Sequence, residues 1–154
     1  MTKLEVGNRA PIFSLMDQDG KLVKLSQFKG QSVVLYFYPK ADTPGCTTQS
    51  CELSSALADL AVLNAVVLGV SPDAVEKQKR FDDKYELGFP LLSDGDHAVA
   101  EAYGVWAEKV NYGRKYMGVV RSAFVIDPRG KLAGVFYKVS PKDTVPKATQ
   151  VLKG

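Results

Sequence analysis

The stretch Ser32–Cys51, SVVLYFYPKADTPGCTTQSC, decides how this chain folds. Its first part, Ser32–Tyr38, is a continuous apolar, β-branched and aromatic run ended by Pro39. Such a run is expected of a strand buried on both faces. After a short polar loop, Thr43-Pro44-Gly45-Cys46 reads as a helix N-terminus, with Thr43 as N-cap and Pro44 at the first helical position. Pro44 gives up only an N–H that has no intrahelical partner. The Thr43 side chain is expected to accept from the Cys46 backbone N–H. Leu53, Leu57, Leu60 and Ala61 then recur at helical spacing, so the helix is expected to run to about Leu63.

The flanking segments extend this alternation. Residues 12–15 and 22–25 surround the turn-rich MDQDGK and predict an N-terminal hairpin. AVVLGVS (65–71) is a second buried strand, 73–87 a partly exposed helix, and FPLLSD (89–94) a short strand. DHAVAEAYG (96–104) is a short helix closed by Gly104. Residues 105–120 show no clear period and are read as loop. Residues 121–138 predict two strands around Asp127-Pro128-Arg129-Gly130, and 144–153 a last helix with Pro146 in its first turn. The order implies an α/β fold, a mixed central sheet covered by helices. Ligands in such sheets gather near the carboxyl ends of the parallel strands, and Cys46 follows one of them.

The length of 154 residues fits a single domain, 1–154. The proportions of hydrophobic and charged residues, 45% and 24%, suit a soluble globular protein. A net charge of +3 is too mild to argue for nucleic acid. The run VVLYFY (33–38) is too short to span a bilayer, and MTKLEVGNRAPIF has no apolar signal core, so a cytoplasmic location is expected. In that reducing compartment a stable structural disulfide is not expected, which turns the two cysteines, Cys46 and Cys51, towards redox or metal chemistry.

Cys46 falls in the first helical turn, where free N–H groups and the helix dipole favour an anion. The thiolate is the reactive form of cysteine. Lys40 assists that effect and Asp42 opposes it. Cys51 lies five residues on. In one helix this offset corresponds to about 140° of rotation and about 7.5 Å of rise, placing the Cα atoms about 8.7 Å apart. Disulfides need Cα atoms within about 7 Å. The two cannot join in an intact helix, and a disulfide would require at least one turn to unwind. Zinc needs about four ligands. The only further soft ligand on offer is His97, which reads as a surface helix residue. A buried core cysteine at a helix start is the remaining reading, and it leaves Cys51 unexplained.

Elsewhere, strand alternation puts Arg121 on the face of Ala123 and Val125. An arginine there either snorkels at the sheet's end or is held beside an anion. Trp106, Tyr112 and Tyr116 read as packing or pocket rim. The cluster EKVNYGRKY (108–116) reads as a solvated loop rather than a nucleic-acid surface.

At YFYPKADTPGCTTQSC (36–51) the chain resembles peroxiredoxins of the Q type, also called bacterioferritin-comigratory proteins. The family's P-x-x-x-T-x-x-C signature matches Pro39, Thr43 and Cys46, and Cys51 matches the resolving cysteine of many Q-type members. VGNRAPIFSL and LSQFKG resemble the family's opening. GVSPD (69–73), KYELGFPLLSD (84–94), YGVWAEK (103–109) and YMGVVRSAFVIDPRGKL (116–132) follow in family order. One departure is Gln49, where relatives often carry Glu; it removes a carboxylate and lessens repulsion of a nearby thiolate.

The resemblance implies a thioredoxin-like fold and thiol peroxidase activity on hydrogen peroxide and organic hydroperoxides. It implies Cys46 as the peroxidatic nucleophile, oxidised to a sulfenic acid. Cys51 would then close an intramolecular disulfide, reduced again by thioredoxin or a similar dithiol. Arg121 is implied to lie beside thiolate and peroxide, favouring the thiolate and stabilising charge as the O–O bond breaks; Thr43 is implied to order both by hydrogen bonding, and Pro39 to shield the thiolate pocket from solvent. No metal or organic cofactor is implied, and family members are monomers or dimers. Two other functions on the same fold are a thiol-disulfide oxidoreductase, which would typically use CxxC, and a non-enzymatic peroxide sensor.

Overall fold

The central strand is the run that ends at the cysteine loop. A computed structural model describes residues 3–154, so the first two residues of the expected domain lie outside the described residues. The strands are β1 (Ser14–Met16), β2 (Leu22–Lys24), β3 (Ser32–Phe37), β4 (Ala65–Ser71), β5 (Leu91–Ser93), β6 (Trp106–Asn111), β7 (Arg114–Val119), β8 (Ser122–Ile126) and β9 (Leu132–Phe136). The helices are α1 (Pro44–Ser55), α2 (Leu57–Val62), α3 (Val75–Tyr85), α4 (Ala98–Ala102) and α5 (Thr144–Lys153). Seven strands form one mixed sheet in the order β2-β1-β5-β4-β3-β8-β9. Strands β3, β4 and β5 run parallel, and the other pairings are antiparallel.

Strand β3 is buried on both faces because its side chains alternate between two apolar layers. Val33, Leu35 and Phe37 join Leu68, Val70, Tyr103 and Phe124 on one side. Val34, Tyr36 and Tyr38 join Cys46, Leu53, Leu60, Phe81 and Ala148 on the other, beneath α1, α3 and α5. Tyr36 and Tyr38 bring hydroxyls into that second layer, and both find partners, as buried phenols require. Tyr36 Oη shares a hydrogen bond of 2.7 Å with Ser50 Oγ, and Tyr38 donates to Gln78 Oε1 at 2.5 Å. Gln78 passes the chain to Ser71 Oγ, and Ser71 donates to Asp73.

The N-terminal hairpin, the mixed sheet and the last helix are as the sequence predicts, with β1 two residues later than expected. Two expectations are corrected. Residues 105–120 are not loop: β6 and β7 pair from Trp106↔Val119 to Asn111↔Arg114. Their two-residue turn places Tyr112 and Gly113 at φ 53° and 75°, the positive pair of a type I′ hairpin. Most of the ribbon is solvent-exposed, so no apolar alternation marked it in the sequence. The second correction concerns the helix expected to reach Leu63, which breaks at Ala56 (φ −94°, ψ 0°). The break follows Ser54 and Ser55, and Ser54 Oγ donates at 2.6 Å to the Leu87 carbonyl. Among the described residues no helix is long and apolar enough to cross a membrane.

Gly69 of β4 sits opposite Tyr36, and a Cβ there would lie 2.9 Å from three atoms of that phenol. The missing side chain is the space in which the Tyr36 ring lies. Gly69→Ala is therefore expected to destabilise the fold by about 1–3 kcal/mol, the usual range for overpacking a filled core. Urea unfolding measures this, and a midpoint equal to that of the parent chain would contradict it.

Candidate active site

The local sequence after β3 builds a helix N-terminus that is braced from outside. Thr43 has the extended backbone of an N-cap (φ −95°, ψ 157°), and Pro44 opens α1. The expected bond from Thr43 to the Cys46 N–H is not made. Instead, the Thr43 hydroxyl donates to the Lys40 carbonyl at 2.9 Å. The reason is the preceding residue: Asp42 takes a left-handed conformation (φ 60°), which folds the loop so that the carbonyl of Lys40 meets the hydroxyl. Asp42 is held there by Lys84 Nζ at 3.0 Å and by the Tyr85 hydroxyl at 3.0 Å. Hydrogen bonding from Lys84, then from Tyr85, holds its carboxyl below the usual carboxylate range. On the other side of the loop, the Ala41 N–H donates at 2.7 Å to Asp73. Pro39 is half-buried between Tyr38 and this loop.

Cys46 is fully buried in the first turn of α1. The Arg121 guanidinium reaches it from the start of β8, with Nη2 3.4 Å from Sγ. The register of the sheet explains this meeting. Strand β8 pairs antiparallel with β3, and Ser122 stands opposite Phe37, so Arg121 emerges where the β3–α1 loop begins. Gly45 admits the side chain: a Cβ at that position would lie 2.9 Å from Arg121 Nη2. Gln49, one turn along α1 and buried, clamps the same guanidinium. Arg121 Nη1 donates to its Oε1 at 2.9 Å, while its Nε2 donates at 2.9 Å to Thr144 Oγ1 of α5. Arg121 is thus fixed by a neutral amide that is itself fixed by the last helix.

Cys51 lies further along the same unbroken α1, and both cysteines carry free thiols. It is half-buried in a groove lined by Glu52, Ser55, Lys142, Val145 and Pro146. Burial pushes its thiol up from the ordinary cysteine value. His97 caps α4 in a left-handed conformation (φ 52°), and its ring stacks on Trp106 at 4.0 Å, with Nδ1 3.4 Å from Glu101 Oε2. Tyr112 and Tyr116 are exposed on the β6–β7 ribbon, whereas Trp106 is half-buried at its base. Among the described residues no three His, Cys, Asp or Glu side chains converge where they could hold a metal ion.

The structure brings together Cys46 and Arg121 and places Thr43 and Pro39 on the loop that leads to them. Three contacts around the thiol have no signature in the linear sequence. Gly45 gives steric room that no spacing rule records. Gln49 reads in the sequence as a lost carboxylate, whereas the structure makes it a clamp. Thr144 lies 95 positions away from its partner, so no local pattern could have found it.

Known proteins share this architecture. The sequence profile of the AhpC/TSA family matches residues 6–135. A putative peroxiredoxin bcp of Haemophilus influenzae is 53% identical over 93% of this chain and 92% of its own length. Peroxiredoxin Bcp of Bacillus subtilis is 48% identical over 97% of this chain and 96% of its own. Among solved structures, the bacterioferritin comigratory protein of Xanthomonas campestris, studied for its alkyl peroxide reduction activity, superposes with a TM-score of 0.86 at 35% identity. That match covers 92% of this chain and 90% of the other. With its mixed sheet, its thiol at a helix start and these relatives, the chain belongs to the AhpC/TSA family and is a thiol-dependent peroxidase of the Bcp, or peroxiredoxin Q, group.

Proposed function

We propose that Cys46 is the peroxidatic nucleophile and that Cys51 resolves it. The observation that carries this reading is the 3.4 Å approach of Arg121 Nη2 to Cys46 Sγ in the first turn of a helix. Both the cation and the free N–H groups of that turn stabilise negative charge on sulfur. The thiolate attacks one oxygen of a peroxide ROOH, forming an S–O bond as the O–O bond breaks. Sulfur loses two electrons, ROH departs after taking a proton, and Cys46 is left as a sulfenic acid. Hydrogen peroxide and organic hydroperoxides both meet this requirement. Arg121 stabilises charge as it moves onto the departing oxygen. Thr43, whose proton is engaged by Lys40, keeps oxygen lone pairs free to accept from a bound peroxide, and Pro39 shields the loop from water.

The Cys51 thiol then condenses with the sulfenic acid, expelling water and forming the Cys46–Cys51 disulfide. The helix geometry forbids that bond while α1 is intact. Resolution therefore unwinds the start of α1 and breaks the Arg121–Gln49, Gln49–Thr144 and Tyr36–Ser50 hydrogen bonds. Burial pushes the Cys51 thiol up from the ordinary cysteine value, so Cys46 beside its cation is the better placed of the two to react first. A dithiol, thioredoxin or a similar protein, returns both thiols by exchange. We place the protein in the cytoplasm, as a monomer or weak homodimer.

Cys46→Ser is expected to abolish peroxide consumption by the purified enzyme. Cys51→Ser should permit one oxidation and block thioredoxin-coupled turnover. Full activity in Cys46→Ser would overturn the assignment. The role of Arg121 has its own test in Gly45→Ala, whose new methyl displaces the guanidinium from Cys46. Loss of a charge-assisted bond of that kind is expected to slow the reaction with peroxide by about one to two orders of magnitude. Single-turnover stopped-flow kinetics measure that rate, and thermal unfolding shows whether the fold has been kept.

A further inference from the structure

The segment that leads into α5 holds the site at three points. The Val139 N–H donates at 3.0 Å to the Arg121 carbonyl, which fixes the backbone of the arginine from this side. Pro141 opens a short 3-10 turn, Pro141–Asp143. Its Cγ lies 3.6 Å from where a Cβ of Gly45 would stand, beside the Arg121 Nη2 that the same Cβ would meet. Thr144, the first residue of α5, is buried and accepts from Gln49 Nε2 at 2.9 Å.

Chemistry fixes the direction of each bond in this chain. A guanidinium only donates, and a backbone carbonyl only accepts. Arg121 Nη1 therefore takes the amide oxygen of Gln49, at 2.9 Å, which leaves the amide nitrogen facing Thr144. The Thr144 hydroxyl receives that N–H on a lone pair because its own proton goes to the Ser140 carbonyl at 3.2 Å. Donation thus runs one way, from Arg121 through Gln49 and Thr144 to Ser140. The other arm of the guanidinium donates to Cys46 Sγ at 3.4 Å.

A primary amide has two ends of nearly equal shape. Turned over, Gln49 would point its NH2 at the guanidinium, donor against donor. For a fully buried side chain that mismatch leaves donors unpaired, at the full cost of their desolvation. The Thr144 lone pair selects against it by accepting from the NH2 end.

We infer that Thr144 is a positioning residue of the peroxidase reaction: its hydroxyl, committed to Ser140, orients the Gln49 amide and thereby holds the Arg121 guanidinium against Cys46. Thr144 acts through two intervening side chains. The inference rests on Cys46 being the nucleophile.

The test is the single-turnover reaction of the reduced, full-length enzyme with hydrogen peroxide across a pH series. Oxidised protein is quantified by quenching, alkylation and mass analysis. In Thr144→Val the amide loses its acceptor, and the rate at neutral pH should fall by about fivefold, the effect of losing one hydrogen bond of ordinary strength. The pH of half-maximal rate should rise, because a guanidinium held less firmly stabilises the thiolate less. None of the Thr144 substitutions adds or removes a charge, so a shifted profile reports where the guanidinium sits. Thr144→Ser, which keeps the hydroxyl, should restore both quantities, and Thr149→Val, on the same helix, should change neither. Gln49→Glu supplies a second background. A carboxylate accepts from Arg121 through either oxygen, so adding Thr144→Val should leave rate and profile as they are in Gln49→Glu alone. Thr144→Ala serves if the valine chain does not fold. An unchanged rate and profile in a folded variant without the hydroxyl would overturn the inference. Failure of serine to restore them would do the same, as would an equal loss in both backgrounds. Peroxide consumption by the parent chain, absent in Cys46→Ser, reports separately on the nucleophile, so the two readings fail independently.

Discussion

The β3–β8 register is the constraint from which the site follows. Phe37 and Ser122 are paired across that ladder, so the residue before β8 and the loop after β3 emerge together at one edge of the sheet. Backbone hydrogen bonds set this register, and slipping it by one residue would turn the buried side chains of both strands to the wrong layer. Both strands are buried almost throughout, and the cost of such a slip is correspondingly high. The packing of the core thereby holds Arg121 against Cys46, and no loop has to find that contact by itself.

Around this fixed point the holding groups are of two kinds. Neutral buried hydrogen bonds fasten α1 to its neighbours: Gln49 to Thr144 of α5, and Ser50 to Tyr36 of β3. Charged and exposed contacts, Asp42 with Lys84 and Tyr85, brace the loop from outside. Exposed ion pairs contribute little and weaken in salt, whereas a buried polar group loses heavily if its partner is removed. If Cys51 resolves Cys46 as proposed, the helix that has to open is held by buried bonds that are few in number. Such an arrangement suits an element with two states, one in which the thiols are kept apart and one in which they meet.

Much of this was legible in the linear chain, for identifiable reasons. The continuous apolar run of β3, the proline at the first position of α1 and the alternation that put Arg121 with Ala123 and Val125 are local signals with local causes. The Asp-Pro-Arg-Gly turn and the closing helix belong with them. What escaped was of another kind. The β6–β7 ribbon packs too little of itself to show an apolar period, and its Tyr112-Gly113 turn lacks the Asn-Gly or Asp-Gly pair that usually advertises a hairpin. The helix break at Ala56 answers to a bond between Ser54 and Leu87, which are distant in sequence. The Thr43 hydroxyl went to Lys40 because Asp42 is left-handed, a choice stabilised by α3.

The sequence by itself determined the nature of the chemistry: a thiol at a helix N-terminus, a second thiol too far along that helix to bond without unwinding, and an arginine leading into a buried strand. These follow from spacing and from the fixed geometry of helices and strands, which act over a few residues. Only the tertiary structure decided which groups surround the thiol. Gly45 was revealed as the opening for Arg121, and Gln49 as its clamp to Thr144. Each depends on side chains from different elements sharing one small volume, and sheet register and helix packing set that coincidence across the whole chain.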